Sequence, residues 1–423
     1  MERIENRSAG TQDTASNART LRRIRLFLCM VLANLFWLMG GCPSAFPGGQ
    51  FPEGNHGGDG SEQVDEPLVD GNIDPSLTSP LGKTFGEPNG TFVSPVVAVF
   101  DAEGVARLQG TVDRRGDLDV FLLGALEVGD LIEIDASSDD SALDASVGVF
   151  DDQGRLVSTN DDRCDDFHNL DCLNPRIDFT VRHGAAAYFL VMTQSAFAER
   201  GQGVGTYTFE VHRSASVVAE PRPQVLVLDF DGADVNSLRL GSYQLDPFDA
   251  ERIDRVYRGA TNVMIQSIVE TVRQNYQRFN VTILTTEDEP PPDGTEFSVV
   301  YFGGFHPMAF GLSEAVDLYN ADRCDDAIIF TESFSVSFFS EVPSAEQMGI
   351  AIGNVAAHEA GHVLGLNHVD DDLDIMDDRS SADAFLEDQE FKASALSSDI
   401  MSIGTQDGVL LLNETVGPAI ASP

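Results

Sequence analysis

The sequence predicts a multidomain chain: an all-β sandwich followed by an α/β (α+β) domain with a mixed sheet and one helix that carries the chemistry. Three observations predict it. The 423 residues exceed what a single hydrophobic core ordinarily organises. From about Thr91 to Arg213, short strand-like runs are separated by Gly- and Asp-rich turns, with no helical period between them. Beyond Pro221-Arg222-Pro223, which reads as a linker, strand-like and helix-like segments interleave.

The chain begins with a segment that reads as an export signal, residues 1–42. Arg19, Arg22, Arg23 and Arg25 precede an apolar run from Leu26 to Met39, shorter than the roughly 20 residues a membrane-spanning helix needs. The run ends in Leu38-Met39-Gly40-Gly41-Cys42. Small residues directly before a cysteine resemble a bacterial lipoprotein signal, which implies that Cys42 is acylated and tethers the mature chain to a membrane of the cell envelope. An ordinary secretory signal and an uncleaved anchor are the alternatives. Residues 43–90 are rich in Gly, Pro, Asp and Glu and read as a flexible linker.

The 91–213 segment contributes strand-like runs at Asp119–Leu123, Leu131–Ile134, Ser146–Phe150, Ile177–Val181, Ala187–Thr193 and Thr206–Val211, read as alternating. Gly116-Asp117-Leu118-Asp119-Val120-Phe121, Val147-Gly148-Val149-Phe150-Asp151, Asn160-Asp161-Asp162 and Gly205-Thr206-Tyr207-Thr208-Phe209 follow one another as in the bacterial pre-peptidase C-terminal domain, which the segment resembles. Such domains accompany secreted peptidases and are not themselves catalytic. They usually follow the peptidase, whereas this one precedes the rest of the chain, so the resemblance leaves its role open.

Residues 221–423 form the second domain. Val225–Phe230, Val281–Thr285, Phe297–Phe302 and Ala327–Thr331 read as strands. Ile253, Val256, Ala260, Val263, Ile268, Val272 and Tyr276 recur at helical spacing and predict one long amphipathic helix from Glu251 to about Asn280. Further helices are expected from about Ala345 to Leu364 and near Phe385–Ala395.

Composition narrows the partners. With 42% apolar residues the chain can build packed cores. Its 69 acidic against 26 basic residues leave a net charge of -43, which repels phosphate backbones and disfavours a nucleic-acid partner. The carboxylates offer oxygen ligands to calcium, with Asp161-Asp162 and Asp165-Asp166, or Asp370-Asp371-Asp372 and Asp374, as candidates. Of five cysteines, Cys29 falls in the signal and Cys42 at its end. Cys164 and Cys172 share a polar loop and could bridge, and Cys324 is left over and could be a buried thiol.

The decisive segment is Ala357-His358-Glu359-Ala360-Gly361-His362-Val363-Leu364-Gly365-Leu366-Asn367-His368. His358 and His362 stand four apart on one helical face and can reach one ion. Glu359 sits beside the first ligand, where its carboxylate can reach a water on the metal. Gly365 can take a left-handed conformation, turning the chain so that His368 returns as third ligand. Three imidazoles leave a position open, as in catalytic rather than structural zinc sites. The chain holds 8 histidines in all, and three fall in this short stretch with the required Glu and Gly.

These residues resemble the metzincin signature. Met376, in Asp374-Ile375-Met376, resembles the Met-turn of matrix-metalloproteinase-like members; Met401, in a second Asp-Ile-Met, competes at a longer spacing. Asp378 stands where astacin-like members carry a tyrosine. The resemblance implies a zincin-type catalytic domain, zinc as cofactor, a protein or peptide substrate lying along a sheet edge, and Glu359 as general base. Gly311–Ala315 is a candidate for that edge, His306 for a structural-metal ligand, and Asp370 for a carboxylate behind a ligand imidazole. The expected function is an exported zinc metalloendopeptidase. A catalytically silent surface-binding protein that uses its sandwich, or zinc hydrolysis of a non-peptide substrate, are the competing readings.

Overall fold

The computed structural model describes residues 89–138, 143–163, 172–198, 203–379 and 381–420. The expected export signal with Cys42, residues 43–88 of the expected linker, and Cys164, Asp165 and Asp166 lie outside the described residues. Among the described residues no helix is long and apolar enough to cross a membrane.

Two sheets face each other in the first half. One runs β1 (Val96–Val97), β3 (Asp119–Leu126), β8 (Ala185–Gln194), β5 (Ala145–Asp151), β6 (Leu156–Asn160). The other runs β2 (Val105–Val112), β9 (Gly205–Ala215), β4 (Asp130–Ser138), β7 (Arg176–Thr180). Burial alternates along β2 and β9, as it must where one face meets the core and the other water. Along β3, β5 and β8 it does not alternate. Phe121, Leu190 and Met192 fill the space between the sheets, while Val120, Leu122, Phe150, Phe189 and Val191 point the other way, onto Leu396 and Met401 of the second half. This sheet is covered on both faces. Of the runs read as alternating, those in β3, β5 and β8 are therefore continuous apolar runs. Full burial of Phe150 and Phe189, shared between Phe92 and the second half, is worth about 1.5–3 kcal/mol each.

In the second half a mixed sheet runs β13 (Val281–Thr285), β10 (Gln224–Asp229), β14 (Ser298–Phe302), β16 (Ala327–Ile329), β15 (Gly311–Ser313). The first four are mutually parallel and β15 closes the edge antiparallel to β16. A hairpin, β11 (Asp234–Ser237) with β12 (Gly241–Gln244), follows β10. The single helix expected over Glu251–Asn280 is divided into α1 (Ala250–Ile253), a 3-10 turn at Arg255–Tyr257 and α2 (Thr261–Tyr276). Asp254 caps the turn by accepting from Val256 N, and Gly259 takes a φ of 77°, so helical continuity is broken twice.

Helix α3 (Ala345–Val363) opens on a capping box in which Ser344 and Gln347 satisfy each other's backbone N–H. It presses on α2 where Gly349 and Gly353 leave room for Ser267 and Thr271. The helix expected near Phe385–Ala395 is absent. Asn354 donates to the Phe385 and Glu387 carbonyls, taking acceptors a helix would use, and the chain forms a 3-10 turn at Ala382–Leu386 and then β17 (Ala393–Ala395). β17 pairs with β18 (Thr405–Asp407), which leads into α4 (Gly408–Thr415). Cys172 and Cys324 are both disulfide-bonded, so Cys324 is not the spare thiol expected of it.

A polar latch joins the halves beside the apolar contact. His183 Nδ1 stands 2.8 Å from Glu414 Oε1 in α4, and Nε2 stands 3.2 Å from Asp151 Oδ2 in β5. Hydrogen bonding to Asp151, then to Glu414, pushes His183 up to about 9 against the cost of burial. A raised histidine stabilises fully below its unfolded value near 6.5 and loses that contribution as pH rises through about 9. Thermal unfolding followed from pH 7 to 10 should therefore show a decline on the order of 2 kcal/mol that is largely missing in His183→Gln.

Candidate metal centre

The last turns of α3 carry the first two histidines of the site. His358 and His362, four residues apart, project from the same face. The helix stops because Gly365 N donates to the His362 carbonyl at 2.8 Å and Leu366 N to the Gly361 carbonyl at 2.9 Å, with Gly365 at a φ of 97°. A Cβ on Gly365 would also lie 2.9 Å from Asp317 O and Leu318 Cα.

The turn throws His368 back toward the helix, and distant residues hold it there. Gln406 brackets the preceding peptide, its Oε1 accepting from Asn367 N and its Nε2 donating to Asn367 O, both at 2.7 Å. Ser397 N donates to the His368 carbonyl at 3.1 Å, and Val369 N to the Met376 carbonyl at 3.0 Å.

The three Nε2 atoms converge at separations of 3.1, 3.1 and 2.9 Å. His358 Nδ1 lies 2.8 Å from Ile375 O, and His362 Nδ1 lies 2.8 Å from Leu366 O. A carbonyl can only accept, so these Nδ1 atoms carry the protons and the Nε2 atoms of His358 and His362 present bare lone pairs. Converging lone pairs with no proton between them repel unless a cation lies among them. A tetrahedral zinc with bonds of 2.0–2.1 Å would set its nitrogens about 3.3 Å apart. The donor set fits.

Electrostatics favour the ligand form. Burial pushes His358 below its ordinary value; burial and the neighbouring His358 push His362 down to about 3; burial and both neighbours push His368 well down. All three are neutral, as ligation requires. The carboxylate beside His368 is Asp378, whose Oδ2 lies 3.7 Å from Nδ1 and accepts from Ser397 Oγ. Asp370 does not stand behind a ligand: its side chain is exposed and its backbone N–H donates to Ala395.

Glu359 is buried beside the histidines, and burial pushes its carboxyl up to about 8. With His358 and His368 it lines a cavity of about 40 Å³, together with Phe310, Asp378 and Phe385, with room for a water or two. Edge strand β15 passes directly over it. A Cβ on Gly311 would stand 2.5 Å from Glu359 Cγ and 2.6 Å from Oε1.

The two Asp-Ile-Met tripeptides have different places. Met376 is fully buried against α3, where a Cβ on Gly361 would lie 2.5 Å from its Sδ. Met401 packs 25 residues later against Gly148 and Phe150 of the sandwich. His306 stacks on Phe330 with ring centroids 5.0 Å apart and takes no part in the cluster.

Among the described residues, only His358, His362 and His368 gather three groups within ligating reach of one another. The expected calcium finds no support. Asp371 accepts from Lys392 Nζ and Asp374 from Met376 N and Ser394 Oγ, so these carboxylates cap the turn and pair with a cation from the chain itself.

Residues 309–398 match the matrixin peptidase family. The matched stretch is about a fifth of the chain and contains β15, the three histidines, Glu359 and Met376. It supports a zinc metallopeptidase. No curated protein matches the chain in sequence. Among solved structures, a zinc-dependent peptidase from Methanocorpusculum labreanum is 14% identical, with a TM-score of 0.24, covering 39% of this chain and 93% of its own. Archaemetzincin from Methanopyrus kandleri is 12% identical at a TM-score of 0.23, covering 46% and 95%. The pre-peptidase C-terminal domain of a Bacillus anthracis collagenase is 13% identical at 0.19, covering 25% and 86%. Likenesses this slight leave the chemistry to be read from the residues.

Proposed function

We propose that this chain is an exported zinc metalloendopeptidase of the metzincin kind, tethered to the cell envelope through Cys42. The observation that carries the reading is the convergence of three buried imidazole Nε2 atoms beside a buried carboxyl. His358, His362 and His368 would hold the ion through Nε2, and Met376 supports the helix beneath them. The chemistry a zinc ion supplies when bound is Lewis acidity and the acidification of water.

Glu359 takes the proton from the attacking water and passes it to the leaving amine nitrogen. Burial alone favours its protonated form, so it retains a proton well once it has one. A cation alongside opposes that preference and favours the carboxylate that must first accept. The substrate lies extended along β15, the sheet edge above Glu359, and its main chain pairs there as an added strand.

The test is digestion of a proteome-derived peptide library by the full-length protein, read by mass spectrometry. New peptide termini should appear, vanish when zinc is removed by a chelator and return when zinc is restored. An intact library, or cleavage indifferent to the chelator, contradicts the reading.

A further inference from the structure

We infer that the N-terminal sandwich is a working part of the metal centre, positioning the loop that carries His368 and the turn behind His362. It rests on the metal-binding reading above and extends it to residues of another domain.

The first connection begins at the β5–β6 hairpin. Gly154 O accepts from Thr405 N at 2.9 Å, and Arg155 bridges Thr405 in parallel, so the hairpin adds a backbone contact to β18. The next residue of β18 is Gln406, which is buried and clamps both polar groups of the Asn367 peptide. Asn367 precedes the third histidine. A few residues upstream, Leu396 and Met401 seat on Phe150 and Val191 of the sandwich, while Ser397 between them donates to the His368 carbonyl. Ser397 N and the Gln406 side chain, which hold the His368 loop from the C-terminal segment, thus belong to a stretch bounded by sandwich contacts.

The second connection runs through Arg182. Its guanidinium lies 3.9 Å from the Tyr319 ring centroid, and its Nη1 donates to the Glu414 carbonyl near the end of α4. Tyr319 and Asn320 take φ values of 62° and 51°, a conformation that side chains disfavour and that needs outside support. Their loop is the wall behind the metal-site turn: Asp317 N donates to the His362 carbonyl at 3.0 Å, and Gly365 packs against residues 317–319.

An independent binding module would need only a linker. Here one face of a sheet is apolar where the segment holding His368 seats on it, beside Phe92 of the same domain, so loosening that contact should loosen the metal. The sandwich-side test is Gly148→Val in the full-length protein. A Cβ there meets Phe150 and Met401 at 2.9 and 3.1 Å, and valine suits a strand, so the wedge acts on the interface. Met401→Ala, read the same way, serves should the first variant fail to fold.

Zinc affinity is measured by chelator competition, and amide hydrogen exchange reports on residues 366–369 and 396–406. Zinc dissociation constants should rise 10–100-fold, the range seen when groups supporting a ligand are lost, with faster exchange in both segments. Zinc affinity within about twofold of wild type, despite faster exchange at 396–406, would overturn the inference. Failure of wild type itself to bind zinc would instead refute the reading on which it rests.

Discussion

Glutamine at position 359 is expected to lower peptide hydrolysis by about 10²–10⁴-fold, the usual worth of a positioned proton acceptor, while zinc stays bound. Glu359→Gln keeps side-chain length and shape, and it leaves in place the backbone carbonyls that hold Nδ1 of His358 and His362. What is lost is the ability to accept a proton. Burial already disfavours charge at this site, pushing the carboxyl up to about 8, so the neutral amide should not destabilise the metal-free fold. Initial rates on a fluorogenic peptide, with zinc content by elemental analysis and melting temperature on the same sample, check all three parts. Undiminished turnover would mean that another group handles the proton.

The second large effect is expected at a residue with no functional group. Gly311→Ala places a methyl 2.5 Å from Glu359 Cγ, inside any tolerable contact. The backbone offers no objection, since Gly311 lies in β15 and is not among the residues with positive φ. The clash is therefore relieved by moving the carboxylate or the edge strand, and both belong to the proposed reaction geometry. A displacement of about 1 Å can cost on the order of 10² in rate, so kcat should fall by roughly that factor with zinc content unchanged. Equal activity in G311A and wild type would show that Glu359 has slack the structure does not suggest.

Local chemistry explains what was legible in the sequence. Four-residue spacing and a following glycine are signals contained within one helix and its end, and they are written within 11 residues. The edge strand at Gly311 was named as a candidate without any reason for its glycine, because the reason is Glu359, reached only through folding. Gln406 carried no signal at all: its partner Asn367 is 39 positions away, and glutamine is an ordinary surface residue in sequence. The run Asp119–Leu123 reads as alternating, and it is not, because the second face of its sheet is covered by Met401 from another domain. The helix expected near Phe385 failed for a similar reason. Asn354, on a helix 31 residues earlier, claims the carbonyls that local propensity would have assigned to the helix itself. Cys324 looked unpaired because sequence order says nothing about which sulfurs meet.

The claim on which the rest depends is that three imidazoles share one zinc ion. Zinc K-edge X-ray absorption on the purified full-length protein tests it most directly. The account predicts one zinc per chain, with a first shell of nitrogen and oxygen at about 2.0–2.1 Å and the outer-shell scattering of three histidine rings. A sulfur shell near about 2.3 Å, or a protein that retains no zinc, would contradict it.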